Sequence, residues 1–269
     1  MDVLDIWVNL TTQESAADFL GQDENAHIPG YLGGDGSEGV GVKQMLALMD
    51  ELDVDTGILM GALDRTSERS LEIADANPGR FLVAAGVTGS RPSRNVRRIR
   101  ELAEHPRFSM VRIMPLTSQL PINDARHYPV YQVCEELGIP VGINVGIPGP
   151  RVRSRVQHPE LLEDVMIDFP DLVIIGAHMG HPYEELLMNY MRKWPNLYLS
   201  CTAYAPRYFD PGLVRFMNTS AYRGRVIWGS DEPWFPMRRS LEEARALPLD
   251  DDAMAQFLGG TARRLLDRT

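Results

Sequence analysis

The chain of 269 residues is 44% hydrophobic and 24% charged, and it carries a formal net charge of −10. This length and composition are sufficient for a large folded core and exclude disorder over most of the chain. The negative charge would repel a phosphate backbone, so we expect no nucleic-acid partner.

Eight short runs of β-type residues alternate along the chain with longer stretches of helical periodicity. The runs that predict strands lie at residues 3–10, 56–61, 81–86, 109–114, 141–145, 172–177, 197–201 and 226–229. Alternation of this kind is typical of a parallel sheet with crossover helices. We therefore predict a single α/β domain over residues 1–269, folded as a (β/α)8 TIM barrel.

One long segment, residues 11–42, interrupts this alternation after the first predicted strand. It is polar and rich in glycine. Its run Gly-Gly-Asp-Gly-Ser-Glu-Gly at residues 33–39 lacks both the preceding strand and the Gly-Lys-Ser/Thr ending of a phosphate-binding loop. We interpret residues 11–42 as a flexible loop or lid inserted after strand 1.

Polar and aromatic residues near the carboxyl ends of the predicted strands are the candidate site residues. In a parallel barrel, those ends and the loops that follow them build the active site. The strand-end candidates are Trp7 and Asn9 on strand 1, Arg112 on strand 4, Asn144 on strand 5, His178 after strand 6 and Asp231 after strand 8. The loop candidates are Tyr204, Arg207 and Trp234. We expect these side chains to surround one cavity.

Two of these residues carry groups suited to proton transfer. His178 comes where an apolar strand gives way to a Gly/Pro turn, and an unperturbed imidazole titrates near neutral pH. A hydrogen-bonded histidine that only closes the barrel explains this position equally well. Asp231 follows the last predicted strand, so its carboxylate should emerge at the barrel mouth, where it can accept a proton or orient a water molecule. Asn144 interrupts an otherwise apolar strand, so its amide needs a partner such as a ligand.

Four strand-end motifs, taken together and in this order, resemble those of one enzyme family. They are Val-Arg-Ile-Met-Pro at 111–115, Gly-Ile-Pro-Val-Gly-Ile-Asn at 138–144, Gly-Ala-His-Met-Gly at 176–180 and Gly-Ser-Asp-Glu-Pro at 229–233. The family is the amidohydrolase-related one (ACMSD-like, amidohydrolase 2), whose members are TIM-barrel hydrolases and decarboxylases. The resemblance runs from Leu4 to about Leu266 and implies an amidohydrolase-like barrel.

The chain departs from this family where metal ligands are expected. The family's opening strand usually reads Asp-x-His-x-His, whereas this chain has Asp5, Trp7 and Asn9. Asn144 stands where the family has another histidine after strand 5. Indole offers no metal ligand, and a neutral amide oxygen is a poor ligand for zinc. We therefore predict no catalytic metal and no other cofactor, with weakly bound zinc as the alternative.

The resemblance implies that His178 acts as an acid or base and that Asp231 binds metal or serves as a base. Because similar family members hydrolyse lactones without metal, we predict a metal-independent hydrolase of a small ester, lactone or amide. In this hypothesis Asp231 removes a proton from water, while His178 stabilises the oxyanion or protonates the leaving group. The predicted substrate contacts are hydrogen bonds from Asn9 and Asn144, a carboxylate contact from Arg112 assisted by Arg207, and aromatic walls formed by Trp7, Tyr204 and Trp234.

Two other functions stay open at this point. One is lyase chemistry on a carboxylated, aromatic or polyketide-like substrate, namely decarboxylation, dehydration or cyclisation, because the fold does not fix the reaction. Decarboxylation is less favoured, because relatives that decarboxylate generally rely on the missing metal. The other is a catalytically silent barrel that only binds a small molecule.

The remaining features concern location and partners. Cys134 and Cys201 are too few for a disulfide framework and are spaced wrongly for a thiolate metal site. No apolar run approaches the roughly 20 residues of a membrane-spanning helix, and no signal-like segment opens the chain. We expect a cytoplasmic protein that acts on a small molecule, does not bind membranes and forms a homodimer, as similar barrels often do.

Overall fold

A parallel sheet of eight strands forms the barrel in the computed structural model, which describes residues 2–32, 37–63, 65–87 and 91–267. The strands pair in the order β1 to β8, and each neighbouring pair is parallel. They are β1 (Leu4–Val8), β2 (Thr56–Ala62), β3 (Phe81–Val87), β4 (Phe108–Ile113), β5 (Val141–Asn144), β6 (Ile174–Ala177), β7 (Leu197–Ser200) and β8 (Val226–Ile227). The predicted TIM barrel is confirmed, and each strand overlaps its predicted run.

Helices alternate with the strands and also follow the last strand, and most of them cover the outside of the barrel. They are α1 (Gln13–Leu20), α2 (Ile28–Leu32), α3 (Val42–Glu51), α4 (Arg65–Ala76), α5 (Pro92–Ala103), α6 (Pro115–Ser118), α7 (Tyr128–Leu137), α8 (Leu161–Asp168), α9 (Glu184–Lys193), α10 (Pro211–Asn218), α11 (Met237–Arg245), α12 (Asp251–Ala255) and α13 (Thr261–Leu266). Short 3-10 turns follow β5, β6 and β7, at Ser154–Gln157, His178–Gly180 and Pro206–Tyr208. None of the helices in the described ranges is both long and apolar enough to cross a lipid bilayer.

Apolar side chains fill both the inside of the barrel and the layer between strands and helices. All residues of β1 and β3 are buried, which explains why such strands read as nearly continuous apolar runs. The cluster inside the barrel joins alternate residues of several strands, among them Leu4, Ile6, Ile58, Leu82, Ala84, Met110, Ile175, Tyr198 and Ile227. A larger cluster packs the outer strand faces against helices such as α3, α7 and α8.

The barrel closes between β8 and β1 through the residues that follow β8. The backbone N–H of Asp231 donates to the carbonyl oxygen of Trp7 at 3.0 Å, and the N–H of Asn9 donates to that of Glu232 at 2.9 Å. Val8 and Glu232 form a parallel bridge at the same level. Candidate residues from opposite ends of the sequence are thereby brought side by side.

The segment between β1 and α3 lies against this end of the barrel. It contains α1 and α2, so it has more regular structure than the loop that the sequence predicts, while residues 33–36 of its glycine-rich run lie outside the described residues. Two hydrogen bonds tie it to the loop after β5. His27 Nε2 contacts the Gly149 carbonyl oxygen at 2.9 Å, and the Arg151 N–H donates to the Glu24 carbonyl oxygen, also at 2.9 Å.

Candidate active site

A cavity of about 260 Å³ opens at the carboxyl ends of the strands. Its floor is formed by polar and aromatic residues at the strand ends, which are Trp7, Asn9, Asn144, His178 and Asp231. Its walls come from the loops after the strands and from α1 and α2, and they include Tyr204, Trp234, Met114, Ile147 and Gln157. All the predicted site residues except Arg112 and Arg207 therefore surround one cavity.

Arg207 lies on the outside of the molecule. The 3-10 turn Pro206–Tyr208 carries its side chain into a groove between α10 and α11, away from the cavity. There its Nη1 lies 3.4 Å from Glu243 Oε1, and its guanidinium lies over the ring of Tyr208. The prediction that Arg207 assists in binding the substrate is therefore corrected, because one short turn directs the side chain outward.

Arg112 lies directly beneath the cavity rather than on its surface. Its side chain is only 1% exposed, and the guanidinium lies over the face of the Trp7 indole. Nη2 donates a hydrogen bond to Asn144 Oδ1 at 3.0 Å. Since Trp7 and Asn144 line the cavity and Arg112 does not, the guanidinium is covered by the floor. This position corrects the prediction that Arg112 contacts a substrate carboxylate directly.

Asp231 has a left-handed backbone conformation, with φ at 79°. This conformation is sparsely populated by residues other than glycine and is often found at functional sites. Its Oδ1 accepts a hydrogen bond from Asn9 Nδ2 at 2.9 Å, whereas Oδ2 accepts none from the described residues. Burial raises the pKa of Asp231 to about 7, and the hydrogen bond from Asn9 and the charge of Arg112 oppose that rise. A carboxyl group that titrates near neutral pH suits a general base.

His178 also has a left-handed backbone conformation, with φ at 61°. Its Nδ1 lies 3.0 Å from the carbonyl oxygen of Thr202. The Thr202 hydroxyl also lies 3.0 Å from Nδ1. A proton on Nδ1 satisfies both contacts, because a hydroxyl oxygen can accept, whereas an unprotonated Nδ1 would direct its lone pair at the carbonyl oxygen. We therefore assign the proton to Nδ1, so the neutral ring has its lone pair on Nε2. Burial, with a further contribution from the Arg112 charge, lowers the pKa of His178 to about 4. At neutral pH the ring is therefore a hydrogen-bond acceptor at Nε2, not the proton donor that the sequence-based hypothesis needs.

Asp5 is a buried carboxylate that is not among the candidates predicted from the strand ends. It accepts hydrogen bonds from the Trp7 N–H at 3.0 Å, the Ser230 N–H at 3.0 Å and the Ser230 hydroxyl at 2.5 Å. Burial raises its pKa to about 7. Asp5 thus joins β1 to the residue preceding Asp231, and its only sequence signal was the first position of the family's Asp-x-His-x-His motif.

Gln157 is a second residue that sequence reasoning missed. It lines the cavity with an exposure of 1%, and its Nε2 donates to the Gly146 carbonyl oxygen at 3.0 Å. Its Oε1 is buried and has no hydrogen-bond partner among the described residues. A buried acceptor without a partner is uncommon and often marks a position that a ligand or water completes. No strand-end pattern could identify Gln157, because it lies in the 3-10 turn after β5.

The segment after β1 supplies the outer wall of the cavity. Phe19 of α1 and Ile28 and Tyr31 of α2 line it, and the Phe19 ring packs on Trp234 with a centroid distance of 4.5 Å. Tyr31 is 67% exposed, so only part of its ring is in contact with the protein. These contacts place the segment at the mouth of the cavity, and its action as a lid stays a prediction.

A match to a family model identifies the enzyme family to which this barrel belongs. The family model described as Amidohydrolase matches residues 27–268. The chain belongs to this amidohydrolase family. The match includes Asn144, His178 and Asp231 of the cavity floor, but it begins after Trp7 and Asn9. None of the curated proteins matches the chain.

Solved structures with the same fold cover nearly the whole amidohydrolase chain. An uncharacterised TIM-barrel protein, Bb4693 from Bordetella bronchiseptica, has a TM-score of 0.83 and 23% identity and covers 100% of this chain and 99% of its own. A 5-carboxyvanillate decarboxylase from Novosphingobium aromaticivorans, complexed with manganese and 4-hydroxy-3-methoxy-5-nitrobenzoic acid, has a TM-score of 0.72 and 15% identity, with coverage of 98% and 95%. The 4-oxalomesaconate hydratase LigJ from Rhodopseudomonas palustris has a TM-score of 0.69 and 17% identity, with coverage of 99% and 96%.

The manganese in that decarboxylase raises the question of whether this amidohydrolase has a matching set of ligands. Within the described parts of the chain, no three His, Cys, Asp or Glu side chains come together as metal ligands. The amide oxygens of the floor are already engaged, because Asn9 Oδ1 accepts from Trp7 Nε1 at 3.2 Å and Asn144 Oδ1 accepts from Arg112. The guanidinium beneath the floor would also repel a second cation. The donor set therefore does not fit a divalent ion.

Proposed function

We propose that this amidohydrolase is a metal-independent hydrolase of a small, uncharged ester, lactone or amide. The observation that carries the proposal is the shared cavity of Asp231 and His178, in which one group is a base with a pKa of about 7 and the other is a neutral imidazole. A base whose pKa lies near the working pH is efficient in general base catalysis. Neither role requires a bound ion.

The reaction begins with a water molecule held between the two groups. Asp231 Oδ2 takes a proton from the water as the water oxygen forms a bond to the substrate carbonyl carbon. His178 Nε2 accepts a hydrogen bond from the same water and so fixes its orientation, which replaces the donor role expected from the sequence. Holding a nucleophile in a reactive orientation removes part of the entropic barrier.

The second half of the reaction stabilises the oxyanion and releases the leaving group. Because Asn144 Oδ1 accepts from Arg112, the Asn144 amide presents Nδ2 to the cavity, where it donates to the carbonyl oxygen that becomes negative. The bond from carbon to the leaving oxygen or nitrogen then breaks. The proton held by Asp231 passes to the leaving atom, so one water molecule is added overall.

The size and lining of the cavity support a compact, uncharged substrate. Its volume of about 260 Å³ is at the small end for ligand sites, and Trp7, Tyr204 and Trp234 offer flat apolar surfaces to a ring. No Lys or Arg is among its described lining residues. A substrate carboxylate would therefore have no cationic partner beside Asp231. The unpartnered Gln157 Oε1 favours a substrate that carries a hydroxyl or N–H group.

Lyase chemistry is the second candidate, because solved structures with this fold include decarboxylases and a hydratase. It would act on a carboxylated, aromatic or polyketide-like substrate through decarboxylation, dehydration or cyclisation. The absence of a cation from the described cavity lining argues against a carboxylated substrate. A barrel that binds such a molecule without turnover is the third candidate.

Product analysis separates these candidates. The purified protein, dialysed against a chelator, is incubated with small lactones, esters, amides and aromatic acids, and the product masses are recorded. We expect an uncharged substrate to give product whose total mass is larger by one water molecule, and the chelator should not change the rate. Loss of carbon dioxide, or activity that appears only with added manganese or zinc, would overturn the proposal. If a compound of the panel binds but gives no product, the third candidate, a barrel that binds without turnover, is supported.

A further inference from the structure

Arg112 is a cation sealed inside the barrel. It is carried by β4 and ranks among the largest fully buried side chains, with an exposure of 1%. None of the described carboxylates lies within ion-pair distance of its guanidinium, whereas ten other arginines of the described residues pair with an acidic side chain. Burying a charge without a paired counter-ion is strongly unfavourable, so such a group calls for an explanation beyond packing.

The space for this side chain is provided by a glycine. A Cβ atom added at Gly142 of β5 would lie 2.7 Å from Arg112 Cδ and 2.9 Å from Arg112 Nε, closer than a side chain tolerates. Gly142 is also the residue that pairs with Arg112 in the sheet register. The neighbouring strand thus has a gap at the point where the arginine enters the barrel.

The guanidinium is held by the cavity floor. The Trp7 ring covers it, Nη2 donates to Asn144 at 3.0 Å, and Nη1 contacts Met60 Sδ at 3.6 Å. Nε has no partner. Trp7 and Asn144 therefore lie between the cavity and the guanidinium, and each contacts both.

We propose that Arg112 is the resident cation of this active site, a positioning residue that presents a fixed positive charge to Asp231 and His178 from beneath the cavity floor. In this arrangement the guanidinium supplies positive charge that metal-containing barrels obtain from an ion. The proposal rests on the proposed function only for the roles of Asp231 and His178, and its test below does not depend on turnover.

The charge acts on both groups in the direction that the proposed reaction needs. It lowers the pKa of Asp231, against the effects of burial and of the carboxyls of Asp5 and Glu232, and so favours the ionised base. It also lowers the pKa of His178, in addition to the larger effect of burial, and so favours the neutral ring. One cation thus favours the working protonation state of two residues at once.

The direct test is a titration of the histidines by NMR. Two-bond ¹H–¹⁵N spectra of labelled protein show which imidazole nitrogen carries a proton, and the spectrum of His178→Gln assigns the signal of His178. We expect the wild-type ring to stay neutral, with Nε2 unprotonated, from pH 8 to pH 5. In Arg112→Met the pKa of His178 rises, whereas Arg112→Lys stays close to the wild type. His105, on the outer surface beside Asp75, is the internal reference and does not change.

A second pair of variants tests the same charge without removing it. Gly142→Ala pushes on Arg112 and displaces the guanidinium, whereas Gly57→Ala on β2 introduces similar crowding against Val8 and Met49, which are not among the described lining residues of the cavity. We expect the His178 titration to shift in Gly142→Ala and to remain unchanged in Gly57→Ala. If Arg112→Met fails to fold, this pair still gives a result.

Two outcomes would overturn the proposal. One is a His178 titration in Arg112→Met that superimposes on that of the wild type. The other is an equal shift in Gly142→Ala and Gly57→Ala, which would indicate general loosening of the barrel. Failure of the proposed function is a separate result, because a protein without hydrolytic activity can still show the Arg112-dependent titration.

Discussion

The two sides of the cavity floor differ in how completely their polar groups are paired. On the side where β8 meets β1, Asp5 accepts three hydrogen bonds, and Asn9 joins Trp7 to Asp231. On the side of β4 and β5, Nε of Arg112 and Oε1 of Gln157 are buried without hydrogen-bond partners in the ranges that the structure describes. We refer to the first as the seam and to the second as the open side.

We expect the two sides to have different roles. Well-paired polar networks are more rigid than unpaired ones, so the seam holds the catalytic carboxylate in position through Oδ1 and leaves its Oδ2 for the reaction. Unpaired buried groups are unfavourable until something completes them, so the open side is where a ligand gains most from binding. Substitutions on the seam should therefore affect turnover and pH dependence, and substitutions on the open side should affect which substrate is used.

The largest expected effect is on the seam, in Asp231→Asn. The amide keeps the size of the side chain but cannot take a proton, so turnover of the identified substrate should fall by about 10²–10⁴-fold while the protein stays folded. The measurement is kcat, with the thermal unfolding temperature recorded for the same sample. Glu185→Gln, on the exposed face of α9, is the control and should keep wild-type turnover. Wild-type turnover in Asp231→Asn would remove the carboxylate from the mechanism.

The next effect concerns the pH dependence of stability, through Asp5. An unfolded chain releases this proton near pH 4, but the folded protein keeps it up to a pKa of about 7. Between these values the unfolded state binds fewer protons, so the free energy of unfolding falls as the pH rises. Asp5→Asn lacks this titration. Between pH 4 and pH 7 its free energy of unfolding should therefore fall by a few kcal/mol less than that of the wild type.

Chemical denaturation at several pH values measures this slope. The exposed Asp251→Asn controls for the loss of one carboxylate from the chain. The prediction fails if the unfolding free energies of Asp5→Asn and of the wild type run parallel between pH 4 and pH 7. The measurement needs no substrate, so it tests the seam independently of the proposed reaction.

The sequence predicts the barrel and much of the floor for a common physical reason. Strands covered on both faces must be apolar, so each strand is visible as a run, and parallel strands bring their carboxyl ends to one edge. Asn144, His178 and Asp231 therefore could be placed together without coordinates. The closure of β8 onto β1 then adds Trp7 and Asn9, although they lie at the other end of the chain.

The remaining site features depend on contacts that no local pattern encodes. The outward direction of Arg207 follows from one 3-10 turn, and the position of Gln157 from another. The covering of Arg112 depends on Gly142 in the next strand. The protonated nitrogen of His178 is decided by the carbonyl oxygen of Thr202. Each of these features depends on a contact that forms only in the folded protein, which is why sequence reasoning misassigned the role or the location.

A smaller effect is expected on the open side, in Gln157→Leu. The substitution removes the unpartnered acceptor, so kcat/KM should fall by roughly 10–100-fold for a substrate that bears a hydroxyl or N–H group, in line with 1–3 kcal/mol for an unmet hydrogen bond. An analogue without that group should lose little or gain. The ratio of the two kcat/KM values, measured in both proteins, isolates the contact. An equal loss for both substrates would indicate that Gln157 only supports the loop after β5.

The smallest effect is expected at the lid over the open side, in Tyr31→Ala. The lid packs on the loop after β5, since a Cβ at Gly149 would lie 3.3 Å from Ile28 and 3.9 Å from Tyr31. Because most of the Tyr31 ring is exposed, its loss should raise KM only a few-fold, roughly 1 kcal/mol or less, with kcat unchanged. Tyr208→Ala, 62% exposed on the outer surface, is the matched control and should change neither constant. A fall in kcat at unchanged KM would instead mean that the lid helps to exclude water from Asp231 during the reaction, and the division between seam and open side would then need to include α2.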